Sequence, residues 1–330
     1  MKWCQVEQSG PLPEARSSHS LTVIATKAYL FGGEHVPRAA IDSQIHCFDL
    51  EASLWLPLQV SGCPPSPRVA HGAAHVGKIL YIFGGRSGVE MGEGSTNDLY
   101  SFDTLTNTWT KIQATGPVPE PRSFHAMAAV ATKLYVFGGC GQHGRLSDLH
   151  CYDTETGTWE RLPDSPDIQG RGGAGLAATA SGNALYVIAG FAGKEMSDVH
   201  RFDLLRNMWD CPNCIGHTTS DIPARSVFGV SAHLCTACAH GNHVVLFGGE
   251  VDPSSAGHAA GKFSSDVFCF DAEGHCVEGW HRLEAAGDPP IARGWFAASN
   301  TADGLLIHGG NSETNERLGD MYHLLLHEES

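Results

Sequence analysis

The sequence predicts an all-β fold, a six-bladed β-propeller closed by its own N-terminus, and three observations carry that prediction. One phrase is repeated six times along the chain: Pro-Arg-x-x-His or a variant, an apolar run, a glycine pair, then Asp-Leu-x-x-aromatic-Asp and a Trp. The spacing is regular. The arginines fall at Arg16, Arg68, Arg122, Arg171, Arg225 and Arg293, in steps of 49 to 54 residues before a last step of 68. Short strands repeating at periods on the order of 40 to 50 residues are what one four-stranded blade per repeat produces. The tryptophans supply the third observation. Trp55, Trp109, Trp159, Trp209 and Trp280 serve five repeats, the sixth ends at Met321-Tyr322-His323-Leu324, and the spare copy is Trp3.

Each element of the repeat has a physical reason. Leu134-Tyr135-Val136-Phe137 is short, apolar and bounded by glycine, so it reads as a strand buried on both faces between blades. Gly138 and Gly139 are expected to end that strand where the backbone turns or takes positive φ. The other pairs stand at Gly32-Gly33, Gly84-Gly85, Gly248-Gly249 and Gly309-Gly310, with Ala189-Gly190 in the fourth place. Asp148-Leu149-His150-Cys151-Tyr152-Asp153 alternates as a half-buried strand does. Thr154-Glu155-Thr156-Gly157 is a hairpin turn, and Trp159 opens an outer strand whose large side chain seals the blade. Residues 2–8 should form the outer strand of the blade that contains Tyr322, which leaves no sheet edge exposed. The whole of 1–330 reads as one domain, with blades near 16–60, 68–114, 122–163, 171–211, 225–284 and 293–326 plus 2–8.

Composition narrows the function classes. A formal charge of −15 argues against wrapping nucleic acid or docking on anionic lipid. No run approaches the ~18 apolar residues of a membrane span, and Met1-Lys2-Trp3-Cys4-Gln5-Val6-Glu7 lacks the apolar core of a signal peptide. An odd count of 11 cysteines without such a signal fits reduced thiols, so the expected location is the cytoplasm, with the nucleus also open.

Most cysteines and histidines dissolve into the repeat. Cys47, Cys151 and Cys269 share one register with Ser101, Arg201 and His323, and His19, His71 and His125 share another. These read as packing and hydrogen-bonding positions. Cys211, Cys214, Cys235 and Cys238 have C-x2-C-x20-C-x2-C spacing, close to a zinc ribbon. The register places the first pair on an outer strand and the second at an inner hairpin of the next blade, too far apart to share one ion. No zinc is expected.

Function should lie at the mouth of the central channel, on loops that rigid blades position. Up-and-down strand order puts the Pro-Arg loops and the post-glycine loops on one face. The residues after the glycines are Glu34, Arg86, Cys140, Phe191, Glu250 and Asn311, a ring of mixed charge and aromatic character. The longest of these loops is 250–265. Arginines converging there would favour a small anion through charge-assisted hydrogen bonds. The candidate ligand-binding residues are Glu34, Arg86, Phe124, Arg171, Arg225, Arg293 and Trp295.

A repeat near 50 residues with a double glycine and a spaced Trp resembles the Kelch repeat along essentially the whole chain. Within that group, Gly170-Arg171-Gly172-Gly173-Ala174-Gly175, Ala224-Arg225-Ser226-Val227-Phe228, Arg293-Gly294-Trp295 and the run from His308 to Arg317 resemble the plant nitrile-specifier and thiocyanate-forming proteins and their non-specifier Kelch relatives. The likeness runs from about residue 3 to 323. It implies a six-bladed propeller that uses ferrous iron to divert glucosinolate aglycones toward nitriles. The implied iron ligands, a Glu, an Asp four on and a His four further, fall on Glu250, Ser254 and His258. Ser254 breaks the set, and Asp252 is the carboxylate left to fill it. Arg86 matches an arginine that holds the substrate sulfate, and Phe124 and Trp295 match an aromatic wall.

No nucleophile elbow, phosphate loop or spaced carboxylate pair appears elsewhere. Three classes of function follow: a small-anion binder with weak iron-assisted lyase chemistry, a scaffold that grips a protein or peptide at the mouth, and a sugar-handling, mutarotase-like propeller using Glu34, Arg86 and Glu250. Whether the chain is an enzyme stays open at this point.

Overall fold

The computed structural model describes residues 1–90, 92–210, 225, 243–252, 261–272 and 280–326. Every regular element among them is a strand, and the sheets form a six-bladed propeller. Blade 1 is the antiparallel sheet Ser20–Ile24, Lys27–Phe31, Ile45–Asp49 and Leu54–Leu56, from channel to rim. Blades 2, 3 and 4 repeat this order, with inner strands at Gly72–Val76, Ala126–Val130 and Gly175–Ala178. The described part of blade 5 comprises His243–Phe247, Val267–Asp271 and His281–Leu283. No helix there is long and apolar enough to cross a membrane.

Closure follows the expectation. Lys2–Gln5 pairs antiparallel with Arg317–Leu325, Trp3 opposite Leu324. Trp3 is 2 % exposed and meets Phe247 of blade 5 edge-on at 5.0 Å. Six apolar clusters fill the seams, one between each pair of neighbouring blades. Two of the seams share one arrangement. A Phe at the end of one blade's second strand is wedged against the next blade's His and Trp: Phe31 against His71 and Trp109, Phe83 against His125 and Trp159.

The glycine pairs do not always end their strands, which corrects the expectation for Gly138 and Gly139. Lys133–Gly141 runs through the pair, with a register shift between Phe137 and Gly139. Both glycines sit at positive φ, 59° and 103°, so they make a bulge that bends the strand toward the mouth. Each second glycine also donates its N–H to the carbonyl of the next blade's repeat arginine, from Gly33 to Arg68 round to Gly310 to Arg16. No Cβ fits there; at Gly33 it would lie 2.7 Å from Ser17 O.

The linkers add a lacing that the repeat pattern did not reveal. Ser61–Gly62 pairs parallel with Thr108 and Trp109, and Ala286–Gly287 with Lys2 and Trp3. Bridges Ser9–Leu54 and Thr115–Thr158 do the same in blades 1 and 3. Each of these four linkers thus covers the rim edge of the blade it is about to enter.

Candidate ligand-binding mouth

The repeat arginines are struts, not ligand groups. All six are at most 2 % exposed. Each donates to the carbonyl of the first residue of its own blade's glycine pair, Arg171 to Ala189, Arg225 to Gly248 and Arg293 to Gly309, at 2.9 to 3.0 Å. Arg171 also forks onto Asp198 and Arg293 onto Asp320, while Arg225 stacks over Phe268 at 4.9 Å. Arg171, Arg225 and Arg293, expected to line the pocket, are therefore not brought to the mouth. A buried guanidinium needs acceptors for its donors, and for Arg171 and Arg293 the blade supplies both a carbonyl and a carboxylate. Burial pushes the Asp198 carboxyl up, but the hydrogen bonds from His200 and Arg171 outweigh it and hold the group well below the carboxylate range.

The mouth itself is built one residue further on. In five blades the residue after the arginine pairs with the residue after the glycines: Ser17 with Glu34, Val69 with Arg86, Ser123 with Cys140, Gly172 with Phe191, and Gly294 with Asn311. The two loop families therefore share one face. The next residue turns into the channel through the left-handed region: Ser18, Ala70, Phe124 and Trp295 at φ 50° to 56°, Gly173 at 60°. Small residues do this at modest strain. Phe124 and Trp295 do it with bulky side chains, which costs on the order of 1–2 kcal/mol each.

Those two rings wall a cavity of about 160 Å³ whose rim also includes Ser18, Ala70 and Gly173. Arg86 lies over the Phe124 ring, guanidinium carbon 5.0 Å from its centroid. One of its nitrogens donates to the carbonyls of Val89 and Glu90, at 3.3 and 3.0 Å, which orients the fork. Trp295 packs edge-on against Phe263 at 5.5 Å. Phe263 stands opposite Glu250 on the short ribbon formed by Glu250–Asp252 and Lys262–Phe263, so the ribbon ties Glu250 to the aromatic wall.

Sequence reasoning passed over Arg145. It stacks on Phe191 with its guanidinium carbon 4.6 Å from the ring centroid, and its charge acts on the Cys140 thiol, as does that of Arg86. Burial pushes the Cys140 thiol up, while Arg145 and Arg86 pull it back. The signal available was a cation in the post-glycine loop of blade 3.

Glu34 is taken. Its carboxylate accepts from Arg317 at 2.8 Å and from the Arg38 backbone N–H at 2.6 Å, so it clamps blade 1 to blade 6. Glu250 is 8 % exposed and accepts from the Gly261 N–H at 3.0 Å. Burial, with the charge of Glu195 adding to it, pushes its carboxyl up to about 7. Asp252 follows on the same ribbon strand. Ser254, His258 and the cysteines Cys211, Cys214, Cys235 and Cys238 lie outside the described residues. Among the described residues, no group of three His, Cys, Asp or Glu is placed to hold a metal ion.

Comparison with known proteins agrees with this architecture. Residues 18–235 match the family described as the KLHDC2/KLHL20/DRC7 Kelch-repeats domain. The N-(sulfonatooxy)prop-2-enimidothioate sulfolyase of Thlaspi arvense is 33 % identical, over 97 % of this chain and 96 % of its own. Kelch domain-containing protein 3 of Rattus norvegicus is 28 % identical, over 97 % of this chain and 68 % of its own. The solved structure of YjhT superposes with a TM-score of 0.74 over 97 % of both chains at 18 % identity, a likeness of fold.

Proposed function

The chain belongs to the Kelch-repeat propeller family, and on that premise we propose that its channel mouth binds a small organic anion, a sulfate ester above others. The observation that carries this reading is the stacking of Arg86 on Phe124, a ring that lines the cavity together with Trp295. A guanidinium fork matches two oxygens of a sulfate, and a ring beneath it fixes the orientation of the fork and desolvates one face. Arg145 on Phe191 adds a second cation, whose charge reaches the Cys140 thiol as that of Arg86 does. The rest of the ligand would lie against Phe124 and Trp295.

The sulfolyase of Thlaspi arvense supports the sulfate ester, since its name describes an N-sulfonatooxy thioimidate that loses sulfate. In the nitrile-forming reaction the N–O bond would break with its electron pair departing on sulfate, while the C–S bond breaks, its pair and the thiolate charge completing the C≡N bond, and sulfur leaves at the zero-valent level. Arg86 and Arg145 would hold the sulfate charge as it develops, and the aromatic wall would exclude water.

Iron enters as part of the proposal. Glu250 and His258 would hold a ferrous ion, with Asp252 or water in the place that Ser254 does not fill. A buried carboxylate pushed up to about 7 gains its ionised form by taking a cation. The bound ion would supply a Lewis acid for the thiolate sulfur. Ser254 makes this site weak, so nitrile-forming activity is expected to be residual.

The test is calorimetric titration with 4-nitrophenyl sulfate, repeated on R86A and W295A, alongside anaerobic iron binding by the wild type and E250A. Arg86→Ala should weaken binding on the order of 10- to 100-fold, the range for hydrogen bonds to a charged group. Equal affinity in R86A would overturn the anion reading. A scaffold reading keeps one observation of its own: Leu12, Val36, Val89 and Ile291 expose 44 to 61 % of their surface in loops of the mouth face. It gains if the sulfate ester does not bind and a peptide does. The sugar-handling reading loses Glu34, which Arg317 occupies.

A further inference from the structure

The seam between blades 6 and 1 carries a histidine at a position where four of the other blades carry a phenylalanine. Where Phe31, Phe83, Phe137 and Phe247 stand in their blades, blade 6 has His308. Its ring sits between His19 and Trp55 of blade 1, 5.1 and 5.9 Å between centroids. His308 Nδ1 and His19 Nε2 are 3.0 Å apart and share one hydrogen bond. His308 is 0 % and His19 7 % exposed. His46 approaches from the third strand of blade 1, its ring 6.3 Å from Trp55. The Nε2 atoms of His308 and His46 are buried without a hydrogen-bond partner among the described residues. Three imidazoles thus crowd one seam, while His71 and His125 each serve one seam alone.

We propose that this seam is an acid-operated latch: proton uptake by the His19–His308 pair parts blade 6 from blade 1, and Trp295 from Ser18 with them, before the other seams open. The pair holds together because one nitrogen donates and the other accepts; a doubly protonated pair would set N–H against N–H. The charged groups facing it offer little relief. His19 faces Arg16 and His71, and His308 faces Arg16, Arg293, Asp320 and His46. His46 faces Arg16 and Asp42. Two guanidinia repel an imidazolium, and Asp320 is already engaged by the fork of Arg293. Burial, the largest cause, pulls His308 down to about 3, His46 to about 4 and His19 well below its usual value. Opening would also break the Glu34–Arg317 pair and the Ser18–Trp295 hydrogen bond on the mouth side, so the cavity wall would come apart with the seam.

Native-state hydrogen exchange of the wild-type chain at pH 8 and pH 5, corrected for intrinsic rates, reads the latch. The reporters are the amides of Ser18 and Gly310 in this seam, against Gly33 and Ala70 in the seam between blades 1 and 2. The opening constant of the first pair should rise roughly 30-fold for each histidine that opening exposes, because an open imidazole titrates near its usual value. The second pair should rise less. His308→Phe, which installs the residue that four of the other blades carry, should remove the excess. Equal loss of protection in both seams, or an excess that survives in H308F, overturns the proposal. An imidazole NMR titration of the wild type serves if H308F does not fold. The latch requires His19 and His308 to stay neutral while the Ser18 and Gly310 amides remain protected. Titration near 6.5 with those amides still protected overturns it.

Discussion

The backbone N–H of Ser18 donates to the carbonyl of Trp295 at 2.8 Å, across the seam where the last blade meets the first. The same bond links Ala70 to Ser18, Phe124 to Ala70 and Gly173 to Phe124, at 2.8 to 2.9 Å. Main-chain hydrogen bonds therefore run from blade to blade around the mouth, through the residues that turn into the channel with positive φ. The cavity wall and the ring closure are one structure, so the position of Trp295 depends on blade 1 being seated.

Closure by the N-terminus should be expensive to undo. Trp3→Ala removes a buried ring from between Phe247 and Tyr322 and should lower stability by about 3–5 kcal/mol in urea unfolding. Deleting residues 1–8 should cost at least as much. An N-terminally trimmed protein with an unchanged Tm would contradict the closure.

The lacing gives a sharper test. Gly62 has φ 80°, and a Cβ there would lie 2.0 Å from the Trp109 carbonyl oxygen. Gly77 also has positive φ, 57°, but nothing lies within 4 Å of its Cβ position. Gly62→Ala should cost more than ~2 kcal/mol, whereas Gly77→Ala should cost only the ~1 kcal/mol of a left-handed alanine. Similar losses in the two variants would mean that the linker relaxes away from the Trp strand.

Struts and ligand groups should separate by phenotype. Arg171→Ala strands Asp198 and a buried carbonyl, and should destabilise the fold by roughly 3–5 kcal/mol. Arg86→Ala should leave Tm nearly unchanged and lose the sulfate ester. Calorimetry and thermal melts on both proteins decide it. A folded, stable R171A that no longer binds the anion would return Arg171 to the ligand set.

Acid sensitivity should follow the buried imidazoles outside the latch as well. His71 sits in the seam between blades 1 and 2, its Nε2 2.8 Å from Ser20 Oγ. Burial, then Arg68 and His125, pulls it down to about 3. Its folded value lies below its unfolded value near 6.5, so the unfolded chain binds the extra proton between them. The contribution is complete above about pH 6.5 and is lost as pH falls toward 3, by roughly 1.4 kcal/mol per pH unit. In urea titrations between pH 7 and 5, His71→Gln should flatten the pH slope by about one proton. An unchanged slope would show that His71 already titrates normally in the folded chain.

The blade count and the means of closure were legible because they are written locally. A glycine pair, a Trp and an Asp-Leu opening each act within a few residues, and six copies fix the register by repetition. The spare Trp3 announced which blade lacked an outer strand. Phe124, Trp295 and Arg86 were also legible, since they break the repeat at positions where the other blades carry small or different residues. What repetition concealed was partnership. Arg171, Arg225 and Arg293 look like an anion clamp in one dimension, but each is absorbed by a carbonyl of its own blade and by an Asp or an aromatic ring. Glu34 looks free until Arg317, 283 residues away, reaches it across the seam. Arg145 gains its role only when Phe191 of the next blade slides beneath it. The sequence by itself determined the strands, the number of blades and the closing strand, because those depend on patterns of neighbouring residues. Only the tertiary structure decided which charges remain available at the mouth. Whether a polar group is spent or open depends on what the adjacent blade places against it, and burial makes that pairing obligatory.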